Sequence, residues 1–257
     1  MDKNKISFKK YLIYLKILKI KIEIFTPKNT IEFVIAHYNE SFEYLKYLPK
    51  NQIITIYYKG DKKVLLPKNN LNIKLIKLEN IGKEYHSYLT HIVNNYENLT
   101  KINFFFSASF IELKDRTRNF TKIYKKISSF NIKKYNGLYT SEDKYFLFKK
   151  EKNKALNPKF RIFNHITSKN TQHKIIQSDK FPLDNFFFTY FRDKKLDKII
   201  KSLNGIFATN KENIISVDKK VFQTIVSEYT IPNKDYESGH YLERLYPSIF
   251  KLNEKKN

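Results

Sequence analysis

The feature that most constrains the fold is an alternation of short apolar runs with segments of helical period in the first half of the chain. Ile31-Glu32-Phe33-Val34-Ile35-Ala36 is β-branched and aromatic, the composition of a strand buried on both faces, and Ser41 to Leu48 after it reads as helical. Ile53 to Tyr58 is a second strand and Leu71 to Leu78 a third. After Asn80-Ile81-Gly82 comes a helix with Tyr85, Leu89, Ile92, Val93 and Tyr96 at helical spacing, and Ile102 to Phe106 is a fourth strand. Strands alternating with helices predict an α/β protein with a largely parallel, Rossmann-like sheet covered on both faces, and a helical C-terminal part.

The second half is less regular. Phe120 to Ser129, Leu183 to Phe191, Lys194 to Leu203, Lys219 to Glu228 and Tyr241 to Leu252 read as helices. Asn136-Gly137 reads as a turn into a strand over Tyr145 to Phe148, and Gly205 to Thr209 as one more short strand. Residues 1–30 form a separate basic segment ahead of an α/β domain over 31–257, with 31–110 a nucleotide-binding half and 111–257 an acceptor half. In the basic segment, Ile6 to Ile24 mixes Lys9, Lys10, Lys16, Lys19 and Lys21 with Tyr11, Leu12, Leu15, Ile17 and Leu18, an amphipathic helix. It suits either an anionic membrane surface, through residues 1–24, or the protein's own body with lysine stems lying over apolar groups. Its end, Lys21 to Phe25, alternates like a strand.

Composition bounds the chemistry. The 257 residues contain no cysteine, which removes disulfides, thiolate metal sites and cysteine nucleophiles. No stretch approaches a membrane span and no apolar leader core is evident, so a cytoplasmic protein is expected, soluble or peripheral to the inner face of a membrane. The net charge of +24 points to polyanions, but Lys, Asn, Ile, Tyr and Phe are over-used together, as in A/T-rich coding sequence. Arginine, the residue that reads guanine and grips phosphate bidentately, occurs five times, which argues against a nucleic-acid partner. A non-catalytic basic module stacking bases on its nineteen tyrosines is the alternative to an enzyme.

In an open parallel sheet, ligands bind where strands end and helices begin. Three polar sets fall at such points: His37, Tyr38, Asn39 and Glu40; Tyr58 and Lys59 before Gly60-Asp61; and Asn80, Gly82, Lys83 and Glu84. Asn39 and Glu40 suit a base or ribose, Tyr38 can stack, and Asn80 could cap a helix whose first turn, with Lys83, faces a diphosphate. Ordinary capping and turn roles for these residues are the alternative. No GxGxxG or Walker sequence occurs. His86 and His91, five apart, do not share a helix face, so a two-histidine metal pair is not expected; Glu84, Ser87, Tyr88 and His91 fall opposite the apolar stripe. The densest polar cluster is Tyr236 to Tyr246, where a helix starting near Ser238 would project His240, Glu243 and Arg244 on one side, a carboxylate beside cationic groups.

On Val34 to Glu40, Ile54 to Gly60, Asn80 to Leu89 with Asn95 to Leu99, Gly205 to Ile214 and Gly239 to Phe250, the chain resembles an uncharacterised family whose members look like GT-A-type glycosyltransferases. The resemblance implies a nucleotide-sugar donor in the first half and a glycan or lipid-linked acceptor, cell-surface or capsular, in the second. It makes Glu237 or Glu243 the catalytic base of an inverting reaction, and His240, with Arg244, a diphosphate or metal contact. GT-A enzymes carry an Asp-x-Asp motif for a divalent metal after the fourth strand; this chain has Phe106-Ser107-Ala108-Ser109 there, which leaves the metal in doubt and shifts the diphosphate to Lys, Arg or helix N–H groups.

Overall fold

The structure is a computed structural model that describes residues 3–66, 72–129, 138–140, 145–147, 175–176, 178–180, 183–192, 198–200, 205–231 and 235–250. Ten strands are described: β1 (Ile31–His37), β2 (Ile53–Tyr58), β3 (Asn72–Lys77), β4 (Ile102–Ser107), β5 (Leu138–Thr140), β6 (Tyr145–Leu147), β7 (Ile175–Ile176), β8 (Lys198–Ile200), β9 (Phe207–Asn210) and β10 (Asp235–Tyr236). The helices are α1 (Lys3–Phe25), α2 (Lys83–Asn95), α3 (Lys114–Ser128), α4 (Leu183–Tyr190), α5 (Lys211–Ile215), α6 (Lys219–Tyr229) and α7 (Glu237–Ile249). Six strands form the main sheet in the order β3-β2-β1-β4-β9-β5. The first four run parallel and β9 lies antiparallel to β4. The expected Rossmann-like α/β architecture is present.

Burial explains the strand order. β1 is buried along its whole length because helices cover both its faces, as its unbroken apolar run requires. β3 is an edge strand, and its exposed Lys74 and Lys77 keep that edge charged and wet. Val34, Tyr57 and Phe105 project to one face, where they meet α2, α4, α6 and α7. Phe33, Ile35, Phe104 and Phe106 project to the other, against α1 and α3. There Phe104, Phe106, Phe110, Phe120 and Tyr124 form a chain of stacked and edge-on rings, Phe110 and Phe120 with centroids 3.9 Å apart.

Several elements differ from the sequence expectations. Lys21 to Phe25 continues α1 as helix, because Ile22 packs inward at helical spacing from Leu15 and Leu18. Residues 42–47 form a 3₁₀ helix capped by Ser41, whose Oγ accepts from the Glu43 N–H. Within the expected helix at 194–203, Lys198–Ile200 is instead a strand paired with Tyr145–Leu147; its short β-branched run satisfies either period, and a partner strand decides. The neighbouring 193–197 and 201–204 lie outside the described residues, as do Asn136 and Gly137. α3 starts six residues before the expected Phe120, and α7 starts at Glu237.

Candidate functional site at the carboxyl edge of the sheet

The register places Ala36 beside Ser107, His37 beside Tyr58 and Tyr58 beside Lys77, so the carboxyl ends of β1 to β4 form one edge. Side-chain alternation splits the groups there into two arms, one on each face. The first arm lies on the α1/α3 face. The His37 ring stacks on Phe42 with centroids 4.2 Å apart, and its Nδ1 lies 3.2 Å from the Tyr44 hydroxyl. Its Nε2 is buried with no partner among the described residues. Burial lowers the His37 pKa, and Glu40 opposes that shift, so the neutral ring is favoured. A cavity of about 310 Å³ opens here, lined by His37, Asn39, Glu40, Phe42, Tyr58 and Leu65.

The loops around this cavity are stitched by the residues the sequence singled out. Asn39 Nδ2 donates to Asp61 Oδ1 at 2.8 Å, the Tyr38 N–H donates to Glu40 Oε2 at 2.7 Å, and the Tyr58 hydroxyl donates to the Lys62 carbonyl. Gly60 has no room for a side chain: a Cβ would stand 2.0 Å from the Tyr38 carbonyl oxygen, so only glycine lets the two loops close on each other. Asn39 and Glu40 thus hold loops as well as line the cavity. Tyr38 is exposed and does not line the cavity.

The second arm lies on the α2/α7 face. Glu84, in the first turn of α2, has its pKa raised by burial and then by the Glu243 carboxylate of α7, which faces it. Glu243 Oε2 is 3.7 Å from His240 Nδ1, and His240 Nε2 is 3.3 Å from Lys83 Nζ. A Cβ on Gly205 would meet both Glu84 and Glu243, which places the two acids around one point. Beneath them the hydroxyls of Tyr88 and Tyr246 are buried without a partner among the described residues, and both tyrosines feel the charge of Glu84 and Glu243. A buried hydroxyl without a partner costs about 1–3 kcal/mol, so the apolar packing here carries a polar strain beneath the two acids.

A guanidinium reaches the same edge from α3, on the other face. Arg116, near the start of α3, donates to Ser109 Oγ, which is 2.9 Å from Ser107 Oγ, and its charge acts on Tyr88. The Ser107-Ala108-Ser109 turn therefore carries hydroxyls and an arginine where an Asp-x-Asp motif would carry carboxylates. Those groups suit an anion and do not fit a divalent metal, and among the described residues no three His, Asp or Glu side chains converge as metal ligands.

Other expected site residues are placed differently. Asn80 does not cap α2; the cap position is Gly82, in the left-handed region at φ 59°, which has no side chain to offer a hydrogen bond. Lys59 is buried and donates to the carbonyls of Ile81 (2.6 Å) and Lys83, so it holds the corner between β3 and α2. Burial lowers its pKa to about 7, opposed by Glu84. Glu237 is fully buried, with Oε2 accepting from the Ser178 N–H at 3.4 Å and Oε1 without a partner among the described residues. The side chain of Arg244 lies outside the described residues. Ser87, Tyr88 and His91 are buried, His91 against Glu32, Tyr57 and Phe105 of the sheet, and α6 and α7 pack over α2.

Gly239 allows that cover. A Cβ there would be 2.5 Å from Tyr85 Cε1, so glycine lets α7 press against α2 and bring Glu243 to Glu84. Arg116 and Tyr246 are the site residues sequence reasoning passed over; the scarcity of arginine was the one available signal for the first.

The fold and this edge define a Rossmann-like α/β protein with a polar, partly cationic edge at the carboxyl ends of its parallel strands. The chain belongs to DUF3431, a family of proteins of unknown function, over residues 33–257. No curated protein and no solved structure matches it.

Proposed function

We propose that the protein is a glycosyltransferase that moves a sugar from a nucleotide-sugar donor to a glycan or lipid-linked acceptor, as its resemblance to GT-A-type enzymes implies. The observation that carries this reading is the division of the sheet edge. A ring-lined cavity at His37 and Tyr58 suits a base and ribose, and a carboxylate pair with Arg116 suits the reacting sugar diphosphate.

In an inverting displacement, Glu243 takes the proton of the acceptor hydroxyl as that oxygen attacks the anomeric carbon. The bond from that carbon to the diphosphate oxygen breaks, and the nucleoside diphosphate leaves with the electron pair. Arg116, Lys83 and the Ser107 and Ser109 hydroxyls meet its charge. His240, 3.7 Å from Glu243, orients the base. Glu84, whose pKa is raised by burial and by Glu243, faces the same sugar as a hydrogen-bonding partner and leaves the role of base to Glu243. Glu243 is better placed than Glu237, which is walled into the interior.

The test is thermal unfolding against nucleoside diphosphates and nucleotide sugars, with a short oligonucleotide beside them. Selective stabilisation by one nucleotide class is expected. Stabilisation by the oligonucleotide alone, erased by salt, would assign the protein to nucleic-acid binding instead. The structure offers that outcome little support, since Tyr44, Tyr57, Tyr88, Tyr124, Tyr241 and Tyr246 are core residues unable to stack on bases.

A further inference from the structure

α1 carries two apolar stripes on opposite sides. Leu15, Leu18 and Ile22 are buried against the body, where α1 packs on α3. Ile13, Ile17, Ile20 and Ile24 recur at helical spacing on the other side and are exposed, from 46% at Ile17 to 67% at Ile24, and Phe25 at 71% extends the stripe. At about 100° per residue, these four isoleucines fall within an arc of roughly 60° centred opposite the buried stripe. On the same projection Lys10 and Lys21 flank one side of the arc, and Lys9 and Lys16 the other; all four are exposed.

Glu23 is the one acid in α1, and it is occupied by Lys19 (3.9 Å) and the Lys50 N–H (2.8 Å). An exposed apolar stripe rimmed by a single sign of charge marks an interaction surface. The charge selects the occupant. A second copy of the same face would set lysine against lysine, whereas a bilayer of anionic lipid offers hydrocarbon to the isoleucines and headgroup charge to the rim.

We infer that the outer face of α1 docks the protein on an anionic membrane surface, lying in the interface plane and not crossing it. No helix among the described residues is long and apolar enough to span a membrane. Docking through α1 is independent of sugar transfer at the sheet edge.

The full chain would be sedimented with vesicles of neutral phosphatidylcholine and with vesicles containing about a third phosphatidylglycerol. Sedimentation with the anionic vesicles alone is expected. Ile17→Asn with Ile24→Asn, which leaves the net charge unchanged, should weaken binding by at least about tenfold. Lys10→Gln and Lys21→Gln should each weaken it roughly fivefold. Thermal unfolding at the wild-type temperature confirms that each variant is folded. Equal binding by the isoleucine variant would overturn the inference, because the +24 charge alone would then explain it. So would failure to bind anionic vesicles. A dimer in sedimentation equilibrium that the isoleucine variant loses, with no vesicle binding, would assign the face to a second copy.

Discussion

Acid should loosen the corner between β3 and α2 through His86. This ring is buried, its Nδ1 lies 3.2 Å from the Ile81 carbonyl, and its pKa is lowered to about 4 by burial and then by the charge of Lys59. In the unfolded chain the same imidazole titrates near 6.5, so between about pH 6.5 and about pH 4 the unfolded state binds the extra proton, and stability falls as pH falls through that window. Working the two binding curves gives a loss of about 2 kcal/mol at pH 5 relative to pH 7.5, approaching about 3 kcal/mol near pH 4. His37 and His91, both lowered by burial, act in the same direction. Urea unfolding of the wild type and of His86→Gln at about pH 7.5 and about pH 5 isolates the His86 share, because the glutamine retains a side-chain N–H but does not titrate. The variant should lose about 2 kcal/mol less on acidification than the wild type. An identical pH dependence in the two proteins would show that His86 takes up a proton in the folded state as readily as in the unfolded one. The burial argument would then fail.

Other perturbations address the site and its supports. Glu243→Gln should lower turnover by roughly 10²–10⁴-fold with nucleotide-induced thermal stabilisation preserved; full activity would remove Glu243 as the base. Arg116→Met should weaken binding of a nucleoside diphosphate more than of the nucleoside, and equal loss for both would place Arg116 outside the diphosphate site. Gly239→Ala puts a methyl group on the Tyr85 ring and should cost about 1–3 kcal/mol in chemical denaturation, and an unchanged midpoint would show that α7 is free to retreat from α2. Phe120→Ala, which removes a ring contacting Phe104, Phe106, Phe110 and Tyr124, should cost about 3–5 kcal/mol, measured the same way.

The sheet was legible where one strand supplies its own evidence. Val34, Ile35, Phe105 and Phe106 sit in apolar runs that only double burial explains, and the polar residues after each run mark the carboxyl edge without knowledge of the partner. Legibility ended where a residue's fate depends on a distant element. Lys198–Ile200 is a strand because Tyr145–Leu147 pairs with it, and His91 is buried because Glu32, Tyr57 and Phe105 of the sheet meet it, facts that no local period encodes.

The site divides in the same way. Glu84 and Glu243, 159 positions apart in the chain, were each visible as polar residues near helix starts, but their mutual effect arises only when α7 lies across α2. That approach depends on Gly239, a residue with no side chain to signal it. α1 shows the converse. Apolar residues on both sides of a helix blur the periodic signal, and the sequence offered one amphipathic face where the fold uses one stripe and leaves a second exposed. An exposed stripe of isoleucine is destabilising to solubility unless something covers it, so its persistence opposite a well-packed face is the strongest physical reason to look for the surface it meets.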